Sequence, residues 1–503
     1  MRSIKFLLFL LMISNAPIFL KAQQVNTLYF MEDIPVRHFL NPSFQPNTDY
    51  YLSLPVIGFT QFNVGNNSVS LKDVIYNVNG KTISFMDSLG NIPRFYHTLK
   101  SNTLIDLDFQ TNLLSFGFRK ESAYWTFSLS EKIEGKVIVP KTLFKISLFG
   151  TPNPQYNSFD FAKSEGDLSV YTEAALGYSK QLNKKWLVGG KLKFLLGSAN
   201  VSNRNNQFIL EAGAEKWTLK GLGSANYSGP VQIKTTNNFQ NFSYVTPSNI
   251  SGWLNPSGIG AGMDIGFEYR LNKKIRLSGA INDIGFIRWT ANTQNYQYAV
   301  DYTFNGIQAF NSNTSINTYK DVYNRLILGN ALADSISTAF KSSTSSKVTT
   351  SSYMTATTAK INLGFEYKIL NDKMSLGLLS YSRLFKNILI EEITGSVNAK
   401  PNKWLNASLS YSLLDGRLST IGAGLGLKTG IFHWFLAADY IPFEKATLSL
   451  SDLGANYPKI NLPIPYNSKY INVSFGMNLI FDKKIKANRG LHRFNKRQEC
   501  NCD

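Results

Sequence analysis

Every second residue of YINVSFGMNLIF (470–481) is apolar. Ile471, Val473, Phe475, Met477, Leu479 and Phe481 share one face, while Tyr470, Asn472, Ser474, Gly476, Asn478 and Ile480 share the other, which is mostly polar or small. A period of two marks a β-strand with one oily and one wet side. GIGAGMDIGFEYRL (258–271) has the same design: Ile259, Ala261, Met263, Ile265, Phe267, Tyr269 and Leu271 face one way, and Asp264, Glu268 and Arg270 face the other among glycines. LSTIGAGLGLK (418–428) and GIFHWFLAADYIP (430–442) are two more such runs, and the break at Thr429-Gly430 predicts a tight hairpin between them. Alternation also predicts strands near 49–63, 103–119, 122–133, 168–181, 185–200, 206–220 and 225–236, and again near 275–290, 295–305, 353–369, 374–385, 387–399 and 403–413.

Many of these runs reach the roughly 9–11 residues that a tilted strand needs to cross a bilayer, beyond the roughly 5–6 of a soluble sandwich. No stretch reaches the roughly 20 consecutive apolar residues of a spanning helix. Short turns such as QLNKKW (181–186) and RLNKKI (270–275) alternate with long insertions at 134–167, 237–257, 306–352 and 443–468, as at the two rims of an outer-membrane barrel. In hydrocarbon every backbone N–H and C=O must be paired within the protein, so a spanning sheet has to close. The fold expected is all-β, a transmembrane antiparallel β-barrel of about 14 strands with 16 as the alternative. Trp125, Trp186, Trp289, Trp404 and Trp434 lie near strand ends, where interfacial girdles of aromatic residues are expected.

Composition agrees. Aromatics make up 13% of the chain while mean hydropathy is only −0.14, because a barrel strand needs just one oily face. The first residues, MRSIKFLLFLLMISNAPIFLKA (1–22), read as a signal peptide for Sec export, cleaved near Ala22. Residues 23–48 contain Pro35, Pro42 and Pro46, which oppose helix and strand alike, and a compact plug or a loose lead are both open readings. Residues 49–481 are assigned to the barrel, and 482–503 to a basic periplasmic tail. Its Cys500 and Cys502 cannot staple a fold. The net charge of +19 suits contacts with lipopolysaccharide phosphates and a cation-rich lumen or rim, and the compartment argues against nucleic acid.

Two short motifs carry a family resemblance. NPSF (Asn41, Pro42, Ser43, Phe44) resembles the Asn-Pro-small motif near the N-terminus of FadL-type fatty-acid transporters and of the related PorV-type barrels. SGAINDIGFIRW (278–289) is similar to a strand segment of the same superfamily. With the AQQ that ends the leader, the chain resembles an outer-membrane family of Bacteroidota of this type, departing from it in the basic tail. The resemblance implies a barrel whose N-terminal segment folds inward as a hatch, with Asn41–Phe44 at the gate. In FadL relatives a hatch gates passage of small hydrophobic molecules; PorV relatives serve as partners of a secretion system. The last run resembles the C-terminal signal read by the barrel-assembly machinery, with Phe481 as its terminal aromatic.

Chemistry beyond this is sparse. The four histidines are His38, His97, His433 and His492, and no nucleophile elbow or zinc-protease motif occurs. No residue is assigned to catalysis, to a metal or to a cofactor. His433 is placed inward near Asp439, and the Glu391-Glu392 pair points to opposite faces. Asp264, Glu268, Arg270 and Asp283 are the candidate lumen charges, with Asp106, Asp108, Lys360 and Lys368 beside them. Such charges either pair internally or line a path for a polar solute. The functions that follow are a FadL-like conduit or, alternatively, a PorV-like scaffold that does not transport.

Overall fold

The computed structural model describes residues 26–482 except 79–80, 151–155, 214–215, 237–240, 250, 253–254, 305–343, 386–387, 415–416, 442–444, 450–460 and 466–468. The signal-peptide reading, the basic tail and its two cysteines lie outside the described residues. The chain forms a closed antiparallel barrel of 14 staves. Asn102–Lys120 pairs with Ala123–Pro140, then follow Glu165–Gln181, Trp186–Gly213, Gly258–Arg270 and Ile275–Trp289. The ladder continues through Ala359–Ile369, Met374–Phe385, Ile388–Ala399, Leu405–Leu414, Arg417–Thr429 and Phe432–Ile441 to Tyr470–Phe481. Closure comes through Tyr50–Ser53 and Thr60–Asn66, one stave in two pieces, which bridge Tyr470–Phe481 and Asn102–Lys120.

The outer wall is apolar. Leu192 is 71% exposed, Leu409 57% and Leu436 55%, within a continuous belt that includes Phe194, Ile259, Ile265, Leu363, Leu378 and Phe475. Burying such side chains is worth about 1.5–3 kcal/mol apiece, so a belt this wide belongs in hydrocarbon. The inner face of Ala123–Pro140 instead reads Ser128, Ser130, Lys132, Glu134 and Lys136, all buried. No helix among the described residues is long and apolar enough to cross a membrane.

Several expected boundaries move. The strand expected at 206–220 does not exist as one element. Trp186–Gly213 runs for 28 residues, about 90 Å at strand rise, and leaves the barrel wall near Gly197. Its upper half pairs with Trp217–Ser228, which pairs in turn with Gln294–Phe304 and through it with Thr344–Thr349. The long insertions are therefore partly sheet, standing on the rim opposite the short turns. The tight hairpin turns at Gly430-Ile431, one residue later than expected, where Gly430 takes a φ of +61°.

Trp289 is the clearest correction. It is fully buried and points inward against Tyr171, Leu195 and Ile287, with Nε1 donating to Thr355 Oγ1 at 2.9 Å. The cause is a bulge. Met263 pairs with Ile284 but Ile265 pairs with Ile281, so Asp264 faces two residues, Asn282 and Asp283. Asp283 takes a φ of +59°. One extra residue inverts the parity of everything after it, and the Trp goes inside instead of joining the girdle.

Candidate functional site

Residues 26–49 fill the lumen at the short-turn end. Only two 3₁₀ turns form there, Asn26–Leu28 and Pro35–Phe39. Prolines at 35, 42 and 46 remove N–H donors and fix φ, which keeps the segment out of the wall ladder. Its cohesion is apolar: Leu28, Tyr29, Phe30, Met31, Ile34, Val36, Leu40 and Phe44 pack as one cluster with Phe59, Leu379, Phe435 and Ala437 of the wall. Residues 26–49 therefore lie packed within the barrel.

Polar pins hold it on most sides. Asn26 Nδ2 donates to Thr394 Oγ1 at 3.0 Å, and Thr27 Oγ1 meets Ser410 Oγ at 2.6 Å and donates to the Asp439 carboxylate. Glu32 bonds Arg276 and lies 2.9 Å from Lys368; Asp33 lies 2.5 Å from Lys400. Burial alone would raise the Glu32 carboxyl, but Arg276 and Lys368 more than offset it and hold the group well below the usual carboxylate range. The Leu40 carbonyl accepts from Asn282 at 2.7 Å and from Asn362 at 2.9 Å. His38 Nε2 is 2.6 Å from Tyr51 Oη. Burial, with Lys191 adding to it, holds the His38 imidazole well below its ordinary pKa, so the ring is neutral.

The NPSF motif is the seat. Asn41 Oδ1 accepts from the Ser43 N–H at 2.9 Å and the Ser43 hydroxyl at 2.8 Å, an Asx turn. Asn41 Nδ2 reaches into the wall, 3.2 Å from the Gly279 carbonyl and 3.3 Å from that of Phe267. Gly189 and Gly266 make the fit possible, because a Cβ on the first would strike the Pro42 carbonyl and one on the second the Asn41 side chain. Pro42 and Ser43 are buried here too, and Phe44 stands edge-on to Tyr29 with the Arg37 guanidinium 4.3 Å from its ring centre.

Beyond the plug lies a layer of charge. Lys193 Nζ is 2.5 Å from Asp283, 2.7 Å from Asp264 and 3.4 Å from Glu173. Lys132 is 2.8 Å from Glu173 and 3.0 Å from Asp283, and Lys360 is 3.1 Å from Asp283. Arg383 joins Asp106 and Asp108 at 3.0 and 3.2 Å. Between this layer and Phe39, Leu40 and Phe59 is a cavity of about 30 Å³, room for about two waters and too little for a hydrocarbon.

The four expected lumen charges all point inward but do not form one group. Asp264 and Asp283 are in the ion layer, whereas Glu268 pairs with Arg270 at 2.8 Å, four residues and about 13 Å along the strand. His433 and Asp439 share the inner face but not a site. Six residues of strand, about 20 Å, separate them; Asp439 holds the plug, and His433 Nδ1 has no hydrogen-bond partner. Phe481 ends the stave Tyr470–Phe481 and pairs with Tyr50 of the closing stave. Lys132, Glu173, Lys193, Arg383 and Glu32 were not singled out from the sequence, although Lys132, Glu134 and Lys136 alternate in the inward register. Among the described residues no group of three His, Cys, Asp or Glu side chains gathers as a metal would need.

A model of the family described as a family of unknown function, DUF5723, matches residues 42–439. The chain belongs to DUF5723. The match begins at Pro42, inside the plug, and ends at Asp439, the carboxylate that pins it. No curated protein matches this DUF5723 chain. Among solved structures it is similar to the Pseudomonas putida toluene transporter TodX, at 10% identity and a TM-score of 0.37, covering 88% of this chain and 93% of that one. The Ralstonia pickettii toluene transporter TbuX is similar at 8% and 0.37, covering 89% and 94%. A Pseudomonas aeruginosa FadL homologue is similar at 11% and 0.37, covering 92% and 97%. With scores this low, the barrel assignment stands on the chain's own ladder and belt.

Proposed function

We propose that this DUF5723 barrel sits in the outer membrane as a conduit for small hydrophobic molecules, gated by movement of its N-terminal plug. The observation that carries the reading is the apolar inner wall beneath the plug. Phe59, Leu379, Phe435 and Ala437 form an apolar patch on the inner wall, and the plug covers them with its own apolar side chains. Withdrawal of the plug would uncover an oily passage, which suits an apolar solute and repels a hydrated one. The seat at Asn41–Phe44 is the latch, because those residues lock the plug to Gly189 and Gly266. A scaffold that docks a secretion or surface complex is the second reading, favoured by the ion layer that crosses the lumen.

Uptake by liposomes decides between them. Mature protein and a version lacking residues 24–47 are reconstituted and offered a labelled long-chain fatty acid, an apolar aromatic and small sugars. A conduit takes up an apolar probe when intact and leaks or loses selectivity when unplugged. If neither version passes any probe, transport is refuted and the scaffold stands.

A further inference from the structure

The turns 182–185, 271–274, 370–373 and 401–404 stand side by side around the short-turn rim, and neither the plug nor the ion layer explains their composition. Together they present exposed Lys184, Lys185, Lys273, Lys274, Lys373 and Lys403 against a single exposed acid, Asp372. Each also holds out one large apolar side chain: Leu182 at 58% exposure, Leu271 at 46%, Leu370 at 65% and Trp404 at 53%. Two of the turns are the same tetrapeptide, Leu-Asn-Lys-Lys, folded alike. Asn183 Oδ1 accepts from the N–H groups of Lys185 and Trp186 at 2.8 and 2.9 Å, and Asn272 Oδ1 from those of Lys274 and Ile275, both at 2.8 Å.

Just inside these turns is an aromatic girdle, in which Trp186 packs 4.6 Å from Tyr269 and Trp434 is 47% exposed. The exposed leucines extend the apolar belt of the barrel wall to its edge, and the lysines cap it. Turns that faced only water would have no use for the leucines. The features recur at four consecutive turns, an arc joining eight of the fourteen staves, and stop at Glu121-Ser122 on one side and Gly430-Ile431 on the other.

We propose that this arc of the rim is a docking surface for anionic phospholipid headgroups of the leaflet it faces. The apolar tips enter the headgroup–acyl boundary, and the ammonium groups reach the phosphates at the same depth. Charge complementarity selects anionic over zwitterionic lipid, and the arc of four turns gathers several lipids along that side of the barrel.

The test uses the full mature chain, a variant carrying K184Q, K185Q, K273Q, K274Q, K373Q and K403Q, and a second with arginine at the same six positions. Each is equilibrated with equimolar phosphatidylglycerol and phosphatidylcholine of matched acyl chains in mixed micelles, and retained lipid is counted by native mass spectrometry. Wild type and the arginine variant are expected to favour phosphatidylglycerol by at least about threefold at low salt, less at high salt, and the glutamine variant to show no preference. Should the glutamine variant fail to fold, as judged by heat-modifiable gel mobility, the pairs K184Q/K185Q and K273Q/K274Q are each expected to lose part of the enrichment. Equal retention of both lipids by wild type, or a preference that survives neutralisation, overturns the proposal.

Discussion

Replacing Asn41 by Ala should unlatch the plug without harming the wall. The side chain accepts two good hydrogen bonds, from the Ser43 N–H at 2.9 Å and hydroxyl at 2.8 Å, and donates longer ones to Gly279 and Phe267 carbonyls. Ser43 is completely buried, so truncation strands its donors away from water. Each net hydrogen bond is worth about 1 kcal/mol and an orphaned buried donor costs about 1–3 kcal/mol, which puts the loss in docking energy at about 2–4 kcal/mol. The undocked population should therefore rise about 30- to 1,000-fold.

A buried plug position reports that population. Val36 is 2% exposed, and Val36→Cys in a chain with Cys500→Ser and Cys502→Ser reacts with a maleimide only when the plug opens. Asn41→Ala should accelerate labelling by the factor above. Asn41→Asp, which keeps the acceptor but not the donor, should fall between. Gly266→Ala should reach the same end from the wall side, while Leu182→Cys on an exposed turn should label equally fast in every background. An Asn41→Ala rate within about threefold of the parent would mean that the motif does not hold the plug.

Two further predictions concern charge. Asp283→Asn keeps a residue tolerant of positive φ but leaves Lys132, Lys193 and Lys360 without their shared carboxylate. Removal of one partner from a buried ion cluster costs about 3–5 kcal/mol, seen as a lower urea midpoint for the loss of heat-resistant gel mobility; an unchanged midpoint would show that the cluster contributes nothing. His38 is neutral when docked, between Tyr51 and Lys191, and its folded pKa lies below the ordinary value. Its contribution to docking is fully present above the undocked pKa of about 6.5 and is lost as pH falls below it, at up to about tenfold in labelling rate per pH unit. His38→Gln should flatten that profile; an acid response that persists in the variant would assign it elsewhere.

The barrel was legible because lipid enforces the period of two wherever it touches the chain. Tyr470–Phe481 and Gly258–Arg270 meet hydrocarbon along most of their length; the bounds of the first match the alternation residue for residue, and the second ends one residue short of it, at Arg270. The alternation fades where the outer face ceases to be oily. In Ala123–Pro140 the outward positions include Glu131 and Gly135, so the alternation ends at 133 and places the inward Lys136 in a loop. The plug was half legible. Its prolines exclude helix and strand, and the NPSF motif lies where it meets the wall, but its apolar contacts join Leu28 and Phe435 across most of the chain, which no local pattern encodes. Asp283 could be placed inward by parity and yet gave no warning that the parity changes at that residue.

That change of parity ties the two barriers of the lumen together. In a regular strand neighbours point to opposite faces, yet Asn282 and Asp283 are both buried within the barrel. Only the bulge and the positive φ at Asp283 permit this. Asn282 holds the Leu40 carbonyl of the plug, and Asp283 gathers the three lysines of the ion layer. A shift of the bulge that frees one side chain must move the other. The two barriers should therefore open in concert, and a double-mutant cycle between Asn41→Ala and Asp283→Asn, read by Val36→Cys labelling, should show a coupling of at least about 0.5 kcal/mol. The sites are not in contact, so strict additivity would mean that plug and ion layer are independent gates in series, each to be opened by its own trigger.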